Sequence, residues 1–170
     1  MPAKARTPKD TVRPKATRPY MPGYGVPAGH KGILPWKWAE RRLKQSHNYW
    51  LITTRPDGAP HAMPVWGVWV DSVFVFSTGR ESRKAKNLAV NPKCVVCNQL
   101  VKEAVIVEGV ATKVTDPAQI KEFGVPYSRK YKPWKLDPSM GPIFVVRPST
   151  VFAMYEKKFA TAATKWEFQR

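Results

Sequence analysis

The sequence predicts a mainly β protein, with six or seven antiparallel strands and a few short helices curled into a small barrel. Three observations predict it. Short apolar runs recur between clusters of Pro, Gly, Asn and Asp. Hydrophobic residues make up 43% and aromatics 12% of the 170 residues, enough for one packed core and too little chain for two comfortable ones. Helical patterns are few and brief, so the strands must cover one another, and closure into a barrel removes exposed edges.

The chain divides near residue 33. Residues 1–32 are rich in Pro, Lys and Arg and almost devoid of aliphatic side chains, which predicts a disordered basic tail. Residues 33–170 form the domain. Its first element is a short helix in "PWKWAERRLKQS", with Pro35 at a first-turn position and Trp36, Trp38, Leu43 and Ser46 at helical spacing. "NYWLITTRPDGAPHAMPVWGVWV" reads as two strands around the turn Arg55-Pro56-Asp57-Gly58. "SVFVFST" is a third strand, followed by a basic helix that Asn91-Pro92 ends. "KCVVCNQL" and "EAVIVEGVATKV" are the fourth and fifth. A helix over "DPAQIKEFGVPYSRKY" is interrupted by Gly124 and Pro126. "PIFVVRPSTVFAMYE" and "ATKWEFQR" close the list, with Pro148 at a bulge or an edge.

A formal net charge of +17 points to an anionic partner, either a phosphorylated or carboxylated small molecule, a nucleic acid or an acidic surface. The first 32 residues hold seven of the basic residues and one acid, so the remainder is strongly basic by itself. No apolar run has the length of a membrane span, and no signal-peptide core opens the chain. Two cysteines make no disulfide framework, which predicts a cytoplasmic protein.

The basic helix poses an electrostatic question. "STGRESRKAKNL" places Arg80, Arg83, Lys84 and Lys86 near a helix start, where the macrodipole favours negative charge. Thr78 and Glu81 have capping-box spacing, which sets the helix start at the end of the preceding strand. A helix N-terminus is an anion site, and Arg and Lys there strengthen it for phosphate. The competing reading is a solvated basic face anchored by Leu88.

These stretches together resemble a known family. "NYWLITTRPDGAPHAMPVWGVWVDS", followed by "FSTGRESRKAKNLAVNPK" and the closing "ATKWEF", is similar to the pyridoxamine-5′-phosphate-oxidase-like, FMN-binding split-barrel proteins, and most of all to the B group of flavin/deazaflavin oxidoreductases. The resemblance runs from about Pro35 to the end. It implies a homodimer of split β-barrels with cofactor sites in clefts between the subunits. It implies that the strand His61 to Trp66, including Met63, Pro64 and Val65, runs beside a tricyclic ring. Phe76, Ser77 and Thr78 would edge the ring and ribityl chain, Ser82, Arg83 and Lys84 would hold the phosphate, and Trp166 would approach the cleft.

The strand opens with His61 and contains Pro64, a departure from the family's pyridoxamine-phosphate oxidase branch that argues against oxidation of that substrate. Surplus cations such as Lys130, Lys132 and Lys135 suit the anionic tail of coenzyme F-420, which is favoured over flavin mononucleotide (FMN). The implied chemistry is hydride transfer to a small unsaturated or oxidised acceptor. It is the cofactor's own chemistry, and no catalytic side chain is assigned.

Other candidates fall away on the residues. Cys94 and Cys97 have redox spacing, but period two in a strand points them to opposite faces. His30, His47 and His61 have no acid or Cys at ligand spacing, so no metal site is expected. The Trp residues read as core and dimer-interface material, with Trp66 and Trp166 nearest the cofactor. No nucleophile elbow or Walker loop is present. Two rivals remain: a redox-inert cofactor-binding protein of the same fold, and, with less support, a basic nucleic-acid-binding module.

Overall fold

The structure, a computed structural model, describes residues 14–169. Its elements in order are β1 (Lys15–Thr17), α1 (Trp36–Gln45), β2 (Tyr49–Thr54), β3 (Pro60–Val65), β4 (Gly67–Val70), β5 (Val73–Ser77), α2 (Arg83–Val90), β6 (Lys93–Asn98) and β7 (Glu103–Lys113). They continue with α3 (Pro117–Lys130), β8 (Ile143–Tyr155), a 3-10 turn at Glu156–Lys158, α4 (Phe159–Ala162) and β9 (Thr164–Glu167). Every strand pairing is antiparallel. The order is β1-β9-β8-β7-β6-β2-β3, with β5 also paired to β8 and β4 to β5.

The long strand β8 organises this branching. One of its edges pairs with β7 along its length, while the other serves β5 at Ile143–Val146 and then β9 at Thr150–Ala153. Pro148, which cannot donate to a ladder, sits where the edge changes partner, and β7 shifts register beside it between Glu108 and Gly109. Gly109 is required there, because a Cβ would overlap the Arg147 carbonyl. The expected bulge at Pro148 is present.

The expected closed barrel of six or seven strands is corrected to an open sheet of nine among the described residues. The run "HAMPVWGVWV" is two strands rather than one. The chain bends at Trp66-Gly67, so β3 and β4 are consecutive without pairing and β3 stays an edge. Gly67 permits the bend, since a Cβ would collide with the Phe74 ring. The tail is also corrected from Pro14 onward, while residues 1–13 lie outside the described residues. Lys15–Thr17 adds a strand to β9, and Arg18 donates to the carbonyls of Lys31 (2.5 Å), Thr161 (2.6 Å) and Ala163 (3.0 Å). Backbone pairing and one multivalent guanidinium hold this segment, which has little apolar surface to bury.

Two apolar clusters result. The larger lies between the sheet and α1, around Leu43, Leu51, Phe74, Val107 and Trp166. The smaller lies where α3 crosses β4 and β5, and contains Val75, Phe123, Tyr127 and Ile143. The interruption expected at Gly124 and Pro126 does not occur, and α3 runs unbroken. Phe123 and Tyr127 in it and Tyr131 at its C-cap recur every four residues and are all buried. Burial of that stripe outweighs the roughly 3 kcal/mol that an internal proline costs a helix.

Candidate functional site

The bend at Trp66 and the start of α2 enclose a cleft of about 410 Å³. It is lined by Pro64, Val65 and Trp66 where β3 ends, by Ser77 and Thr78 where β5 ends, and by Lys84 in the first turn of α2. Asn48, just before β2, and Tyr127 of α3 complete it. No carboxylate lines the cleft.

The α2 start differs from the capping-box expectation. The helix begins at Arg83, and its N-cap is Ser82, whose hydroxyl accepts from the Ala85 amide (3.3 Å). Glu81 instead pairs with Lys86 (3.0 Å) on the exposed surface. Thr78 stays in the site, with its hydroxyl 3.1 Å from that of Ser82. The amides of Arg83 and Lys84 belong to the unpaired first turn of the helix. Burial lowers the Lys84 pKa from its ordinary value, because its ammonium is partly desolvated without a compensating anion.

Trp66 is held in place by Tyr131. Its ring stacks on Tyr131 with centroids 4.8 Å apart and 9° between planes. The Tyr131 hydroxyl accepts from the Gly67 amide (3.0 Å) and lies 2.6 Å from the His47 carbonyl. Beside it, Lys130 donates to the Tyr49 hydroxyl (2.8 Å) and the Gly67 carbonyl (2.9 Å). Tyr49 in turn donates to the Leu43 carbonyl. This corrects the role expected for Lys130, because its ammonium points into the fold and does not reach for a ligand tail. Lys132 and Lys135 are exposed.

Burial pushes Lys130 down to about 8. Between that value and its ordinary 10.5, the unfolded chain binds more protons at this residue than the folded one. Its contribution to stability therefore rises with pH across that window. Urea midpoints of wild type and Lys130→Met, measured from pH 7 to 11 (roughly the span of the titration), are expected to show an extra upward slope in wild type. Parallel profiles would show that Lys130 titrates normally.

Of the twelve residues anticipated around the cofactor, the structure gathers Pro64, Val65, Trp66, Ser77, Thr78 and Lys84 at the cleft. Ser82 acts as the cap, and Arg83 is exposed beside it. Met63 and His61 lie further along β3, outside the lining, and the buried His61 Nδ1 has no partner. Phe76 is wholly inside the core, and Trp166 is 1% exposed against Trp36. The sequence reading missed Asn48 and Tyr127. Tyr127 had a signal in the four-residue aromatic spacing of α3, and Asn48 had none.

Cys94 is buried and Cys97 half-buried in β6, and desolvation raises both thiols, Cys94 to about 12. That is the environment of inert thiols.

Residues 37–155 match the family model for pyridoxamine 5′-phosphate oxidase. A pyridoxine/pyridoxamine 5′-phosphate oxidase from Anaeromyxobacter dehalogenans is 41% identical over 69 residues, covering 39% of this chain. The chain spans about a third (35%) of that relative's length. A solved F-420 reductase is 25% identical with a TM-score of 0.54, and the match covers 66% of this chain and 94% of the other. A pyridoxamine 5′-phosphate oxidase-related, FMN-binding protein from Nostoc punctiforme is 21% identical with a TM-score of 0.52, covering 74% and 86%.

Proposed function

Since the chain belongs to the pyridoxamine 5′-phosphate oxidase family, we propose that it is an oxidoreductase that holds coenzyme F-420 in the Trp66–Lys84 cleft and passes hydride to a small unsaturated or oxidised acceptor. The observation that carries this reading is the cleft's donor set. An underpaired, half-buried Lys84 at the unpaired first turn of α2 and the residues Ser77 and Thr78 line the same cleft, with no acid among the lining residues. Such a set fits a phosphate. Trp66, Pro64 and Val65 give the cleft apolar lining suited to a ring. The volume lies within the roughly 300–1,000 Å³ usual for small-molecule sites.

A bound deazaflavin or flavin supplies the hydride. The chain's residues bind, orient and exclude water. Trp66, fixed by Tyr131, would hold the ring, and Lys84 would hold the phosphate end. Tyr127 holds a proton at neutral pH, because burial raises its hydroxyl above the ordinary value against the opposing effect of a bond to Ser77.

Support for the deazaflavin over FMN comes from the F-420 reductase likeness and from the basic balance of the chain. Parallel fluorescence titrations with F-420 and FMN test the choice. Micromolar or tighter binding of F-420 alone is the expected result, FMN alone would replace the cofactor, and neither would overturn the assignment. Binding without turnover of any acceptor would point to the redox-inert alternative.

The reading includes a second copy of the chain. On the sheet face away from the core, Pro64, Trp50, Cys97, Ile106 and Phe152 lie in one cross-strand row, and Trp50 is 48% exposed. An apolar strip of this kind suits a twofold contact.

A further inference from the structure

Away from the cleft, a cavity of about 870 Å³ opens between α3, the end of β7 and the segment leading into β8. Its floor is where the smaller core cluster reaches the surface, at Val114, Leu136 and Ile143, with Ile120 beside them. Its rim carries Arg80, Lys113, Lys121 and Lys135, and no Asp or Glu lines it. The ion pairs among the described residues use none of these four cations. Of the carboxylates near these cations in sequence, Glu81 pairs with Lys86, and the exposed Glu122 beside Lys121 is not among the lining residues. Asp116 accepts from the Ala118 amide (3.0 Å) to cap α3, and Asp137 accepts from the Ser139 amide (2.8 Å).

From this pairing of apolar floor and uncompensated basic rim, we infer that the groove is a second ligand site, for a small molecule with an apolar body and a carboxylate end. Four like charges around one depression repel one another, and an anion seated among them removes that repulsion. The floor selects against a fully hydrated ion, which would gain nothing from Val114 or Ile143, while the rim selects against a neutral apolar compound. The site is separate from the cofactor cleft. The two share no lining residue, and Gly141 of the groove packs so closely on Thr78 of the cleft that a Cβ would overlap the Thr78 carbonyl.

Isothermal titration of the full chain with decanoate tests the inference, with decanol as the neutral control and inorganic phosphate as the charge-only control. Saturable decanoate binding, at least about tenfold tighter than either control and about tenfold weaker in Lys113→Glu/Lys121→Glu, is the expected result. Should that variant not fold, Lys121→Gln/Lys135→Gln is read in the same way. Equal binding of decanol, absence of saturable decanoate binding, or unchanged affinity in the folded variant overturns it. So does a change in sedimenting mass of the variant without decanoate binding in wild type, which would make the groove a contact between protein chains.

Discussion

Lys84→Ala is expected to weaken cofactor binding by about 10- to 150-fold, the loss of one charge-assisted bond worth about 1.5–3 kcal/mol. Arg83→Ala is expected to cost less than about fivefold, the scale of an exposed charge. The sequence places both residues in the same first turn of α2 and makes them equivalent. The structure separates them, because Lys84 lines the cleft and Arg83 is exposed. A pH series adds a second signature. Burial lowers the Lys84 pKa in the free protein, and a bound phosphate stabilises the protonated ammonium. Wild-type affinity therefore falls as pH rises through that depressed value, while Lys84→Ala loses this component. Equal losses for the two alanine variants would remove Lys84 from its role as the anchor.

The contrast between these neighbours shows how much of the protein was legible in its sequence. Strands β2, β6 and β7 announce themselves because one face of each is buried and period two records that directly, while β5 and the start of β8 are buried on both faces and read as short continuous apolar runs. β1 does not, because Lys15–Thr17 is held by backbone pairing with β9 and by Arg18 reaching distant carbonyls, and neither leaves an apolar pattern. The α2 start was ambiguous for a related reason. Thr78 with Glu81 and Ser82 with Ala85 offer caps at the same spacing, and a backbone-level choice between them depends on where β5 releases the chain. Half of the anticipated site residues reach the cleft because they sit at the ends of β3 and β5 or the start of α2, positions that local pattern fixes. Tyr127 enters only because α3 packs across β4, a contact no short stretch encodes.

Trp166 is where this distinction yields the largest stability effect. The resemblance assigns it to the cleft, and the structure places it in the core, paired across the ladder with Ala16 and Val151 and edge-on to Trp36 at 5.4 Å between centroids. Trp166→Ala removes a large buried side chain from a packed site, and a loss of about 3–5 kcal/mol is expected, read as a lowered urea midpoint. That loss is a large fraction of the about 5–15 kcal/mol available to a small domain. Trp166→Phe preserves most of the apolar contact and keeps the protein folded. Its cofactor affinity is expected to stay within about twofold of wild type, as for any change that does not touch the ligand. If folded Trp166→Phe lost affinity on the scale of Lys84→Ala, Trp166 would have to reach the cofactor, and its burial in the core of a single chain could not be the whole of its role.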